Sequence, residues 1–130
     1  MVKAVIVEGR TPFRQTLENI FSSRFPSVET RTVEDGKQAM GTIESFLPDL
    51  ILVNVNLPDE NGLELGRRIK KRYPNVILIL LASHDMPEYR KAACASGADY
   101  FVSKDFPLEN CFALIEEALS GLKNSPRQNS

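Results

Sequence analysis

The run Leu50-Ile51-Leu52-Val53, closed by Asn54, constrains this chain more than any other stretch. Four consecutive apolar residues suit a strand covered on both faces, as in a parallel sheet, and not one with a wet side. Directly after it, Asn56-Leu57-Pro58-Asp59-Glu60-Asn61-Gly62 is turn-rich and opens a helical pattern at Leu63. Asn54 therefore stands at the carboxyl end of a buried strand, where open α/β sheets keep their ligands and chemistry.

The flanking segments repeat that grammar. Val2 to Val7 is a mostly apolar first strand that runs into Glu8-Gly9-Arg10. Thr11-Pro12 reads as a capping hydroxyl followed by proline at the first helical position, and Phe13, Leu17, Ile20 and Phe21 recur at helical spacing. Val28 to Val33 interleaves Glu29 and Arg31 with apolar or β-branched residues, the pattern of an edge strand. Asp35-Gly36 opens a second helix with Ala39, Met40, Ile43, Phe46 and Leu47 inward, and a third is expected from Leu63 to Tyr73.

Val76 to Leu81 is a fourth strand, leading to Ala82-Ser83-His84-Asp85. A small-residue helix from Pro87 to Ser96 closes on Gly97; Asp99 to Val102 is a fifth strand, leading to Ser103-Lys104-Asp105. The last helix, Pro107 to Leu122, turns Leu108, Cys111, Phe112, Ile115, Ala118 and Leu119 inward. One domain over residues 1–122 is expected, followed by a polar, disordered tail at 123–130. Five strands alternating with five helices specify a single doubly wound parallel sheet, α/β in class, with helices on both faces. The edge character of the second strand sets the order 2-1-3-4-5.

The 130 residues suffice for one proper core. A net charge of −1 and a pI near 5.9 give no bulk attraction to nucleic acid or anionic membrane. Cys94 and Cys111 have no metal-ligand spacing and read as reduced, buried small hydrophobes, consistent with a cytoplasmic protein. No secretory signal pattern opens the chain, and Val76 to Ala82 is far shorter than the ~20 residues of a membrane span. The cluster Arg67, Arg68, Lys70, Lys71 and Arg72 admits a phosphate- or partner-binding reading, but cations complementing a helix C-terminus are the expected one.

The blocks VIVEGRTPFRQ, PDLILVNVNLPDENGLEL, LLASHD and GADYFVSKD, at their spacing, resemble a response-regulator receiver domain of two-component signalling from Val2 to Leu122. The wording is most similar to receivers that precede a helix-turn-helix output domain. The resemblance implies a flavodoxin-like fold and transfer of a phosphoryl group from a histidine kinase to an aspartate. It also implies Mg²⁺ held by acidic side chains, a lysine on a phosphoryl oxygen, and a switch hydroxyl and aromatic.

Mapped onto that pattern, Asn54 takes the phosphoacceptor position, and a carboxamide is a very poor nucleophile. Glu8 and Gly9 take the acidic-pair positions, so one metal-binding side chain is missing; Glu8, Asn54 and Asn56 are the remnant of the metal site. Ala82 replaces the switch hydroxyl, with Ser83 next to it pointing the other way; Phe101 takes the switch-aromatic position and Lys104 the phosphate-binding one. His84 reads as a loop hydrogen-bonder and not a general base. A laboratory Asp→Asn change would explain Asn54 alone, not Gly9 and Ala82.

The resulting expectation is a pseudo-receiver with no catalytic residues, no metal and no cofactor, Mg²⁺ mattering only if the site proves active. Glu8 and Lys104 would pair, with Asn54 hydrogen-bonding between them, in a pocket whose stability ignores Mg²⁺. Such a chain works through a protein partner, an output domain or a homodimer, using helix 1/helix 5 or helix 4/strand 5/helix 5, with no direct nucleic-acid or membrane contact. The alternative is a conventional phosphoacceptor receiver of a transcriptional regulator in which Asn54 replaces the aspartate. An unrelated doubly wound hydrolase is disfavoured: no aspartate ends strand one or three, and no glycine-rich phosphate loop follows strand one.

Overall fold

The structure is a computed structural model that describes residues 1–83, 86–103 and 108–124, the side chains of 108–110 and 123–124 excepted. The elements are β1 (Lys3–Val7), α1 (Thr11–Arg24), β2 (Glu29–Val33), α2 (Gly36–Phe46), β3 (Leu50–Asn54), α3 (Gly62–Arg72), β4 (Ile77–Ala82), α4 (Pro87–Ser96), β5 (Tyr100–Ser103) and α5 (Leu108–Asn124). All strand pairs are parallel and the order is β2-β1-β3-β4-β5, as the strand patterns require.

Alternate residues of the central strands feed two separate cores, which is why those strands are apolar throughout. Ala4, Ile6, Leu50, Leu52, Ile79 and Leu81 meet Leu17 and Phe21 of α1 and Cys111, Phe112 and Ile115 of α5 on one face. Val5, Val7, Ile51, Val53, Leu78 and Leu80 meet Ala39 and Ile43 of α2, Leu65 and Ile69 of α3 and Ala93 of α4 on the other. The edge strand β2 exposes Glu29 and Arg31. Two aspartates just before strands tie the sheet along its base: Asp49 Oδ2 accepts from the Lys3 N–H at 3.0 Å, and Asp99 Oδ2 from the Leu78 N–H at 2.8 Å.

Several local expectations need correcting. Thr11 is not the cap of α1 but its first residue; Arg10 is the N-cap and makes no side-chain capping bond. Leu47 is 63% exposed, because it takes a left-handed backbone at the end of α2 and turns outward. Cys94 is exposed, and only Cys111 is buried. Helix α5 continues to Asn124, so residues 123 and 124 are helical. Asp35 Oδ1 does cap α2 through the Gln38 N–H at 2.9 Å, and Gly97 does close α4 at φ 89°. Leu108's inward side chain and the tail at 125–130 lie outside the described residues.

Candidate functional site

The register of the sheet brings the ends of β1, β3 and β4 into one crevice: Val7 lies beside Val53, and Asn54 beside Leu81. Glu8, directly after β1, is 1% exposed and Asn54 is 3% exposed. The Asn54 Nδ2 donates to Glu8 Oε1 at 2.6 Å. The other carboxylate oxygen, Oε2, accepts from the Arg10 N–H at 3.0 Å. Asn54 Oδ1 accepts from the Asn56 N–H at 2.8 Å. These two partners fix the amide's orientation, since its nitrogen must face the carboxylate and its oxygen the N–H.

The expected Asn54–Glu8 contact is therefore present, while Lys104 and His84 lie outside the described residues. Ala82 ends β4 fully buried and offers no hydroxyl. Ser83, expected to point away, lies beyond the strand where alternation no longer applies; its hydroxyl donates to Asn56 Oδ1 at 3.4 Å. Asn56 is exposed on the rim. Phe101 is half-buried on β5, with the Arg90 guanidinium 5.2 Å from its ring centroid. Among the described residues, no buried side-chain nitrogen or oxygen lacks a hydrogen-bond partner.

Three contributors escaped sequence reasoning. Arg14, one turn into α1, donates from Nη1 to the Glu8 carbonyl at 2.8 Å and from Nη2 to Thr11 Oγ1 at 3.2 Å, holding the end of β1 against α1. Pro58 lies against Gly9: a Cβ built there would stand 2.8 Å from the proline Cδ. Asp59 accepts at Oδ1 from the Gly36 N–H at 2.9 Å and at Oδ2 from the Lys37 N–H at 3.1 Å. The Gly36 N–H bond is the largest cause holding its carboxyl below the ordinary 3.8. The turn composition of LPDENG announced a loop but could not say which helix it touches.

The basic end of α3 is largely neutralised within the fold. Arg67 pairs with Glu64, Arg68 with Glu60, Lys70 with Asp99 and Arg72 with Glu44. That favours the solvent-facing reading over a phosphate patch.

Residues 4–116 match the family model of the response regulator receiver domain. The chain belongs to the receiver domain family. This receiver is similar to the transcriptional regulatory protein DegU of Brevibacillus brevis, 30% identical over 115 residues, which cover 88% of this chain and 48% of that protein. It is similar to the DNA-binding transcriptional activator EvgA of Escherichia coli, 31% identical over 92% of this chain and 58% of that protein. Among solved structures, NtrX from Brucella abortus is 27% identical with a TM-score of 0.83, over 95% of this receiver and 28% of that chain. A two-component response regulator from Clostridium difficile has a TM-score of 0.86 at 22% identity, over 96% and 100% of the two chains, a likeness of fold alone. The receiver thus spans about half of the DegU and EvgA relatives.

The family implies Mg²⁺, and the donor set can be tested against it. Gly9 has no side chain, both Glu8 oxygens accept N–H bonds, and Asn54 directs its nitrogen at the carboxylate and its oxygen at a backbone amide. With no side chain at Gly9 and an amide at position 54, Glu8 is the one carboxylate these positions offer, a poor fit for Mg²⁺, which is usually held by carboxylates and water. No helix is long and apolar enough to cross a membrane among the described residues.

Proposed function

We propose that this receiver signals without phosphoryl transfer, through contact with a protein partner, an output domain or a second copy of itself. The observation that carries the reading is the 2.6 Å bond from Asn54 Nδ2 to Glu8 Oε1. In a receiver with an aspartate at this position two carboxylates would crowd together and need a cation or a proton. Here a neutral amide supplies the N–H instead, so the pocket is satisfied from within. The same amide cannot act as the nucleophile that forms an acyl phosphate. Gly9 and Ala82, at the second acid and switch positions, support the reading independently.

Contact is assigned to the α1/α5 or the α4/β5/α5 face. The DNA-binding names of relatives such as EvgA and NtrC support an output domain in the whole protein and a cytoplasmic setting. Incubation with acetyl phosphate and Mg²⁺, followed by intact-mass measurement, tests the proposal. No gain of a phosphoryl group is expected, and an acid-stable, base-labile phosphoryl adduct would overturn it.

A further inference from the structure

Helix α4 is seated differently from its neighbours. Of its 10 residues, Ala93 and Ser96 are the buried ones, and both are small. Helices α2 and α3 instead bury Ile43, Phe46, Leu65 and Ile69. Hydrophobic stabilisation grows with the apolar area removed from water, so packing alone gives α4 the weaker seat.

What fastens α4 is polar and lies at its C-terminal end. There Asp99 and Leu78 exchange bonds: the Asp99 N–H donates to the Leu78 carbonyl at 2.9 Å, and Asp99 Oδ2 accepts from the Leu78 N–H at 2.8 Å. The same Oδ2 accepts from Lys70 Nζ of α3 at 3.0 Å. Lys70 Nζ also donates to the Val76 carbonyl at 2.8 Å and to the Pro74 carbonyl at 3.1 Å, so all three ammonium donors are taken. The Lys70 side chain is 16% exposed, and the left-handed Gly97 turn lies on its stem: a Cβ at Gly97 would meet Lys70 Cβ at 3.7 Å. One ammonium thus ties together the end of α3, the loop into β4 and the turn between α4 and β5. Arg67 and Arg72, on the same helix, make their pairs in solvent. At the opposite end of α4, the N-cap Met86 makes no side-chain capping bond.

We infer that Lys70 and Asp99 form a clasp that seats α4, so that the end of α3 sets the α4/β5/α5 face and neutralising Lys70 releases it. Assigning that face to partner contact rests on the function proposed above; the clasp itself does not. Lys70 is a positioning residue, acting on α4 through Asp99.

The test follows backbone amide exchange in the 130-residue chain and in its Lys70→Met, Asp99→Asn and double variants. Lys70→Met keeps an apolar stem and loses the charge-assisted bonds, so exchange at residues 91–97 should quicken by about tenfold or more. Exchange at residues 40–46 of α2 should stay within about twofold of the native rate. Equal quickening in α2 would reduce Lys70 to a support of global stability, and unchanged exchange in α4 would mean that packing holds the helix; either overturns the clasp. Asp99→Asn keeps an acceptor for the Leu78 N–H and removes the charge. It should quicken the same α4 amides in the native chain and add less than about twofold on top of Lys70→Met. Full additivity would overturn the pairing. If Lys70→Met does not fold, Asp99→Asn alone decides by the same comparison of α4 with α2. A phosphoryl adduct on the native chain would instead sink the proposed function, leaving these exchange rates to judge the clasp.

Discussion

A single amide decides the electrostatics of the crevice. Asn54 gives its nitrogen to Glu8 and its oxygen to the Asn56 N–H, so the carboxylate that β1 delivers is met by a donor and not by another acid. Burial acts on a second group with a measurable consequence. It pushes the Cys111 thiol up to about 11, so at neutral pH that thiol carries almost no reactive thiolate. Cys94 is exposed. Titration with a thiol reagent at neutral pH should therefore show one thiol reacting at once and the second only on unfolding. Two fast thiols would contradict the packing of α5 against the sheet. The sequence showed that both cysteines lacked metal-ligand spacing, but not that Cys94 faces out: on a helix with Ala92, Ala93 and Ala95 around it, no apolar stripe marks the inner side.

Among the elements, glycines in two helices behave oppositely for reasons the contacts make plain. A Cβ at Gly41, midway along α2, would meet nothing within 4 Å, whereas one at Gly66 in α3 would stand 3.1 Å from Leu78 Cδ2 and 3.2 Å from Leu80 Cδ2. Gly41→Ala should stabilise the protein by about 0.5–1 kcal/mol through helix propensity. Gly66→Ala should destabilise it, because α3 packs too closely on β4 to admit a methyl without movement. Chemical denaturation of both variants checks the pair, and stabilisation by both would contradict the α3–β4 packing. The Asp59 carboxylate on the first amides of α2 belongs to this scale too. The folded-state value of Asp59 lies below 3.8, so its contribution is fully present above 3.8 and is lost only as pH falls through the lower folded value. The element order was legible because the strands are apolar through and the helices have inner faces. Helix starts were legible from a capping side chain, as at Asp35, or from proline in the first turn, as at Pro12 and Pro87; what was misread at α1 was the cap itself, which is Arg10 and not Thr11. The attachment of the loop to α2 was not legible, since Asp59 finds its amides 23 and 22 residues away, and no local periodicity encodes that distance.

For the whole molecule, a receiver fold surrounds a pocket in which Glu8 and Asn54 are engaged by internal hydrogen bonds. The sheet order, the two-sided core and the convergence of strand ends are those of the family, and the site substitutions were readable from four short blocks because fixed spacing carries them. What spacing could not convey was the closure around them: Arg14 on the Glu8 carbonyl and Pro58 on Gly9, whereas the Asn54–Glu8 bond was expected. Together they tie the ends of β1 and β3 to α1 and the β3–α3 loop, which supports the proposal that signalling falls to the outer faces. The most direct measurement is amide chemical-shift mapping with beryllofluoride and Mg²⁺ on the native chain and on Asn54→Asp. Silence in both is the predicted result. A saturable response of Asn54→Asp, centred on the new carboxylate at the end of β3, would contradict the account and make this a conventional receiver held back by one amide.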